Sequence, residues 1–79
     1  MTLTLAPFGA FRDLPGGAIE LESGANTDAL RARLTDHYGP AQEALVQSAA
    51  FALNGTVIPE GGRIEEGGEL ALLPPVCGG

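Results

Sequence analysis

The sequence predicts an α+β domain in which a mixed β-sheet packs on one main helix. Period-two alternation of apolar residues recurs near both ends, at residues 2–6 and 69–73, as half-buried strands require. Between them Leu30, Leu34 and Tyr38 repeat every four residues, which puts one apolar stripe on a helix. Asn54-Gly55 separates two short apolar runs and is the strongest short-range hairpin signal. A chain of 79 residues buries one modest core, so a second domain and a deep enzyme pocket are not expected.

In chain order, Leu3 and Leu5 share a face of the first strand, and Pro7 stands near its end. Phe11 and Leu14, three apart, fit one helical turn before Pro15-Gly16-Gly17 reverses the chain. Residues 18–22 alternate again, with Ile19 and Leu21 inward, so the first two strands form a hairpin with an elaborated loop. Asn26 and Thr27 are good N-caps, Asp28 suits the positive end of the helix dipole, and Gly39-Pro40 stops the helix. A short second helix is expected over residues 41–47, then the Asn54-Gly55 hairpin, then turns at Gly61-Gly62 and Gly67-Gly68. In the last strand Leu70 and Leu72 share one face and Ala71 and Leu73 the other, so Leu73 faces away from the core. The domain is read as residues 1–73, with residues 74–79 an extended C-terminal tail.

The hydrophobic fraction of 44% is that of a folded domain, and the few aromatics imply an aliphatic core. Ten acidic residues against four arginines give a formal charge of -6. An acidic surface repels phosphate backbones, so nucleic acid is not an expected partner, and a basic protein surface is. The absence of lysine excludes Schiff-base chemistry, a phosphate-loop lysine and an internal isopeptide acceptor. The lone Cys77 cannot form an intramolecular disulfide, and no basic stretch followed by a long apolar run opens the sequence. A cytoplasmic protein without membrane insertion is the expectation.

The tail carries the candidate chemistry. Pro74-Pro75 removes two backbone donors and holds the chain extended, while Gly78-Gly79 has no side chains and can thread a narrow channel. A terminal Gly-Gly alone reads as a frayed end. The stiff apolar run Leu72-Leu73-Pro74-Pro75-Val76 before it reads instead as an insertion segment. A carboxylate on Gly79 is ionised and unreactive at neutral pH, so activation has to come from outside, most simply as an acyl-adenylate formed with ATP.

The ending Leu73-Pro74-Pro75-Val76-Cys77-Gly78-Gly79 resembles the Phe-Pro-Pro-Val-x-Gly-Gly ending of the small, sulfur-carrying subunit of molybdopterin synthase, the MoaD type within the MoaD/ThiS family. Residues 8–14 resemble that family's Phe-x-x-x-Arg-Glu-Leu segment. Ala52-Leu53-Asn54-Gly55 resembles its Val-Asn hairpin, and Glu66-Gly67-Gly68-Glu69 its Asp-Gly-Asp-Glu turn. The resemblance implies a ubiquitin-like β-grasp fold and a sulfur carrier protein. An E1-like enzyme would adenylate Gly79 with ATP, and a sulfur donor protein would convert it to a thiocarboxylate. Pro74, Pro75, Val76, Cys77 and Gly78 would insert into the large subunit of molybdopterin synthase, within a heterotetramer, where the sulfur passes to cyclic pyranopterin monophosphate. This chain would bind no cofactor, and the catalytic residues would lie on the large subunit.

Leu72 and Leu73 stand where the molybdopterin carriers often have two phenylalanines, and Cys77 occupies a variable position. Carriers for thiamine or cysteine synthesis share the fold and the Gly-Gly end, and the Pro-Pro-Val approach points to the molybdopterin branch. A ubiquitin-like modifier conjugated through Gly79 needs the same adenylation, and a plain binding module would be indifferent to loss of Gly79. Leu73, Phe8 and Arg12 are candidate partner contacts, although Phe8 reads equally as core and Arg12 as an unpartnered surface charge. His37 reads as a favourable charge at the helix end and has no metal-ligand company, and Glu65, Glu66 and Glu69 read as a solvated turn.

Overall fold

The computed structural model describes residues 1–74. Strand β1 (Thr2–Pro7) pairs antiparallel with β2 (Ala18–Glu20), Leu3 lying opposite Ile19, and a single 3-10 turn at Gly9–Phe11 sits in the loop between them. The two-residue strand β3 (Ala25–Asn26) leads into helix α1 (Thr27–Tyr38), and a 3-10 turn at Pro40–Gln42 leads into the short helix α2 (Glu43–Ser48). Then come β4 (Ala50–Leu53), β5 (Thr56–Ile58), β6 (Arg63–Ile64) and β7 (Gly68–Leu73). The main sheet runs in the order β2-β1-β7-β4-β5, with β7 parallel to β1 and antiparallel to β4. This is the β-grasp arrangement, a mixed sheet with its first and last strands in the middle.

Alternation decides the two faces. Leu3 and Leu5 of β1, Ile19 of β2, Leu70 and Leu72 of β7 and Phe51 of β4 are all buried, and Leu30 and Leu34 of α1 close over them. Phe11, Val46, Ala49 and Ile64 complete the cluster from the connecting segments. Full burial of one such aliphatic side chain contributes roughly 1.5–3 kcal/mol, so this cluster supplies most of the drive to fold. Helix α1 starts where Asn26 caps it, its side chain accepting from the Ala29 N–H at 3.0 Å. The same start is pinned to the β5–β6 connection, since Thr27 Oγ1 accepts from the Gly61 N–H at 2.8 Å and the Thr27 N–H donates to the Gly62 carbonyl at 3.1 Å. Strands β3 and β6 form a small second sheet beside this junction, which the sequence reading does not contain.

Arg31 is the unexpected member of the interior. It is 6% exposed and lies 4.7 Å over the Phe51 ring. Its Nη1 donates to the carbonyls of Val46 and Ala49 at 3.0 and 2.9 Å, and its Nη2 to the Glu60 carboxylate at 2.6 Å. One guanidinium thereby holds α1, the end of α2 and the β5–β6 connection together.

A second tie joins the two turns that the sequence marked separately. Asn54, at φ 50°, and Gly55, at φ 87°, make the tight β4–β5 turn, both in the left-handed region such a turn demands. The Asn54 side chain then accepts from the Glu69 N–H at 2.9 Å and donates to the Gly67 carbonyl at 3.3 Å, clamping the turn that starts β7.

Replacing Arg31 with Met takes the donor from the buried Ala49 carbonyl, the second donor from the Val46 carbonyl and the partner from the Glu60 carboxylate, and should cost about 2 kcal/mol in urea unfolding. Glu60→Gln, at a carboxylate whose side chain is 72% exposed, should cost under about 1 kcal/mol in the same assay. Asn54→Ala gives up two hydrogen bonds and places Ala at positive φ, so a loss of about 2 kcal/mol is expected.

Candidate functional site

The point where the tail leaves the fold is built by three neighbouring strands. β7 is flanked by β1 and β4, with Leu72 opposite Pro7 on one side and Leu73 opposite Ala50 on the other. The ladder with β1 continues one step further, because the Phe8 N–H donates to the Leu72 carbonyl at 3.0 Å. The strand ends at Leu73, where Pro74 offers no N–H to continue it. Pro74 comes to rest over Gly9, at φ +57°, in the 3-10 turn. Phe8, next to that turn, is 49% exposed, while Leu73 is half-buried and Arg12 exposed.

The sheet face turned away from α1 is also distinctive. Ala6, Ala71, Ala52 and Val57 lie opposite one another in register across β1, β7, β4 and β5. Leu73 and Ala50 form the next row toward the tail, and Thr4 and Glu69 the next row away from it. Val57 is 65% exposed. Small side chains keep this platform low, and it grades from apolar at the tail root to polar at the far end.

Sequence reasoning singled out Phe8, Leu73 and Pro74 separately, and the structure brings all three to the tail root. The alternating pattern put Leu73 on the outer face, where its register position places it. Phe8 resolves as an exposed residue, not as core. Arg12 stays in the same loop, its backbone N–H donating to the Gly9 carbonyl at 3.2 Å. Pro75, Val76, Cys77, Gly78 and Gly79 lie outside the described residues. The alanine row and Gly9 went unnoticed in the sequence. Their signal was the outward half of each alternating strand, which becomes a surface only once the strand order is known.

Elsewhere the surface offers little reaction chemistry. His37, in the last turn of α1, shares a 3.2 Å hydrogen bond between its Nε2 and the Gly16 carbonyl, so it ties the helix end to the β1–β2 loop as well as suiting the dipole. Burial pushes the neighbouring Tyr38 phenol above its ordinary pKa, which keeps it neutral. An open groove beside β5, between Val57 and Glu66, collects Arg63, Glu65 and Glu66 around an apolar strip. Among the described residues no group of three or more His, Cys, Asp or Glu side chains could hold a metal ion, and no helix is long and apolar enough to cross a membrane.

The structure of SAMP1 from Haloferax volcanii is similar over 100% of both chains, with a TM-score of 0.73 at 22% sequence identity, which is a likeness of fold. The ThiS family model matches residues 8–79, nearly the whole sequence and including both the tail root and the tail itself. On that match the chain belongs to the ThiS family, the MoaD/ThiS group of ubiquitin-like sulfur carriers.

Proposed function

We propose that this chain is the sulfur-carrying small subunit of a molybdopterin synthase. The observation that carries the proposal is the tail root. The Leu-Pro-Pro-Val-x-Gly-Gly segment departs from the central strand, next to exposed Phe8 and at the apolar end of the sheet face opposite the helix. Such a face suits a protein that docks flat on one partner while feeding its tail into that partner's active site.

The chemistry follows from an inert carboxylate. A Gly79 carboxylate oxygen attacks the α-phosphorus of ATP on an E1-like enzyme, releasing pyrophosphate and leaving an acyl-adenylate. Sulfide delivered by a donor protein attacks the acyl carbon and expels AMP, and the resulting thiocarboxylate carries the sulfur to cyclic pyranopterin monophosphate in the large subunit. The small subunit has no lysine to offer as a catalytic amine, so bases and acids for the transfer come from the partner. The acidic surface favours partners with basic docking faces.

The decisive test is intact mass with fragmentation after incubation with an E1-like enzyme, ATP and a sulfur source. Replacement of one oxygen by sulfur at Gly79, followed by conversion of the pterin precursor when the large subunit is added, is the expected result. A sulfur-loaded chain that converts no pterin precursor points to thiamine or cysteine synthesis. An adenylate captured by lysines of other proteins marks a modifier. On the docking side, Phe8→Ser should leave the melting temperature within about 4 °C, since surface changes away from structural ties rarely exceed ~0.5 kcal/mol. The same variant should weaken binding to the large subunit at least about 10-fold, as a truncated interface aromatic does.

A further inference from the structure

We infer that Gly9 is a positioning residue: the space left by its missing side chain is the seat of Pro74, and that seat fixes the direction in which the tail leaves the sheet. A Cβ built on Gly9 would stand 2.8 Å from Pro74 Cγ and 3.1 Å from Pro74 Cδ, closer than unstrained carbon atoms approach. The backbone at Gly9 has φ +57°, a conformation that a residue with a side chain adopts only at a cost. Both features belong to one short turn whose flanks are fixed independently. On one side the Phe8 N–H bonds the Leu72 carbonyl, and on the other Phe11 is buried in the core while its N–H donates to the Phe8 carbonyl at 3.0 Å. The turn is thus anchored to the body at both ends and presents Gly9 to the first residue after β7.

The consequence lies in how a stiff arm is aimed. The sequence reading expects Pro74-Pro75 to hold the chain extended, and on that expectation a rotation at Pro74 carries into the residues that follow. Hydrogen bonds along β7 fix where the arm begins, and contact with Gly9 fixes its heading. The functional importance of that heading rests on the tail being the working end, as proposed above. The seat itself does not.

The test therefore reads geometry first. Cys77 is the only cysteine, so a nitroxide attached there reports the tail by paramagnetic broadening of backbone amides in the full chain. Gly9→Ala should shift the set of broadened amides. Gly39→Ala is the control, because Gly39 has φ +96° with nothing within 4 Å of an added Cβ, and it should leave the pattern as in the wild type. The destabilisation caused by Gly9→Ala should also shrink in a Pro74→Ala background, where Cγ and Cδ are gone. If Gly9→Ala alone fails to fold, a folded Gly9→Ala/Pro74→Ala double variant supports the seat, and a double variant that also fails to fold overturns it. An unchanged broadening pattern in folded Gly9→Ala, or an undiminished cost in the double variant, likewise overturns it. With the E1-like enzyme, Gly9→Ala should lower kcat/KM for activation about 10-fold through KM, while Gly39→Ala should not. A wild-type chain that is never activated would defeat the proposed function and leave the broadening experiment to decide the seat.

Discussion

The parallel pairing of β1 with β7 is the contact on which the remainder of the molecule depends. It joins residues from opposite ends of the sequence, from Leu3 beside Gly68 to Pro7 beside Leu72. Parallel strands need a crossover, and here almost the entire chain is that crossover, including α1, which packs across the sheet. Because the partners are so distant in sequence, the loop-closure entropy is met late in folding, and the inward Leu5, Leu70 and Leu72 have to offset it. The same pairing puts the exit of the tail at the centre of the sheet. A tail hung from an edge strand could fray with that strand. One hung from β7 is held by ladders on both sides.

Arg31 solves a problem that this crossover creates. At the end of α2 the Val46 carbonyl accepts from the Ala49 N–H at 3.1 Å, but the step into β4 turns the Ala49 carbonyl inward, and a buried unpaired carbonyl costs about 1–3 kcal/mol. The guanidinium donates to both carbonyls, stacks on Phe51, and spends its remaining donors on Glu60 at the surface. The ion pair itself adds little, since the Glu60 side chain is largely solvated. The value of the residue lies in satisfying the Ala49 carbonyl and in adding a second bond to that of Val46.

How much of this was legible in the sequence follows from the range of each signal. Local periodicity and turn chemistry exposed β1, β7, the β4–β5 hairpin and α1, because two-residue and four-residue repeats survive in short windows. Strands β3 and β6 are two residues each and carry no period to read, although Ile64 is fully buried. The sequence reading gave Arg31 no role beyond the charge count. Yet Thr27, Arg31, Leu34 and Tyr38 are spaced four, three and four apart, so one helical face contained an arginine among residues that pack inward. At the candidate site, Phe8, Leu73 and Pro74 were visible as residue types and invisible as neighbours. Strand order, which alone makes them adjacent and lines up Ala6, Ala71, Ala52 and Val57, is a long-range property that no window contains.

A carrier of activated carboxyl groups has to avoid reacting with itself, and the composition bears on that requirement. On the proposed function an acyl-adenylate at Gly79 is open to any nearby nucleophile, with amines the most damaging because the amide they form is stable. This chain contains no lysine, so it presents no side-chain amine to its own tail or to that of a second copy. Its basic side chains besides His37 are four guanidinium groups, which are poor nucleophiles. Two of the hydroxyls are engaged in hydrogen bonds within the fold, Thr2 donating to the Glu20 carboxylate and Thr27 Oγ1 accepting from the Gly61 N–H. Cys77 stands apart, two residues from Gly79, where a thiol meeting the activated carboxyl would form a thioester that a second sulfur nucleophile can reopen. An amine so placed would end the cycle, whereas a thiol leaves it recoverable. On the proposed function, the absence of lysine removes the side-chain nucleophile whose product could not be reopened.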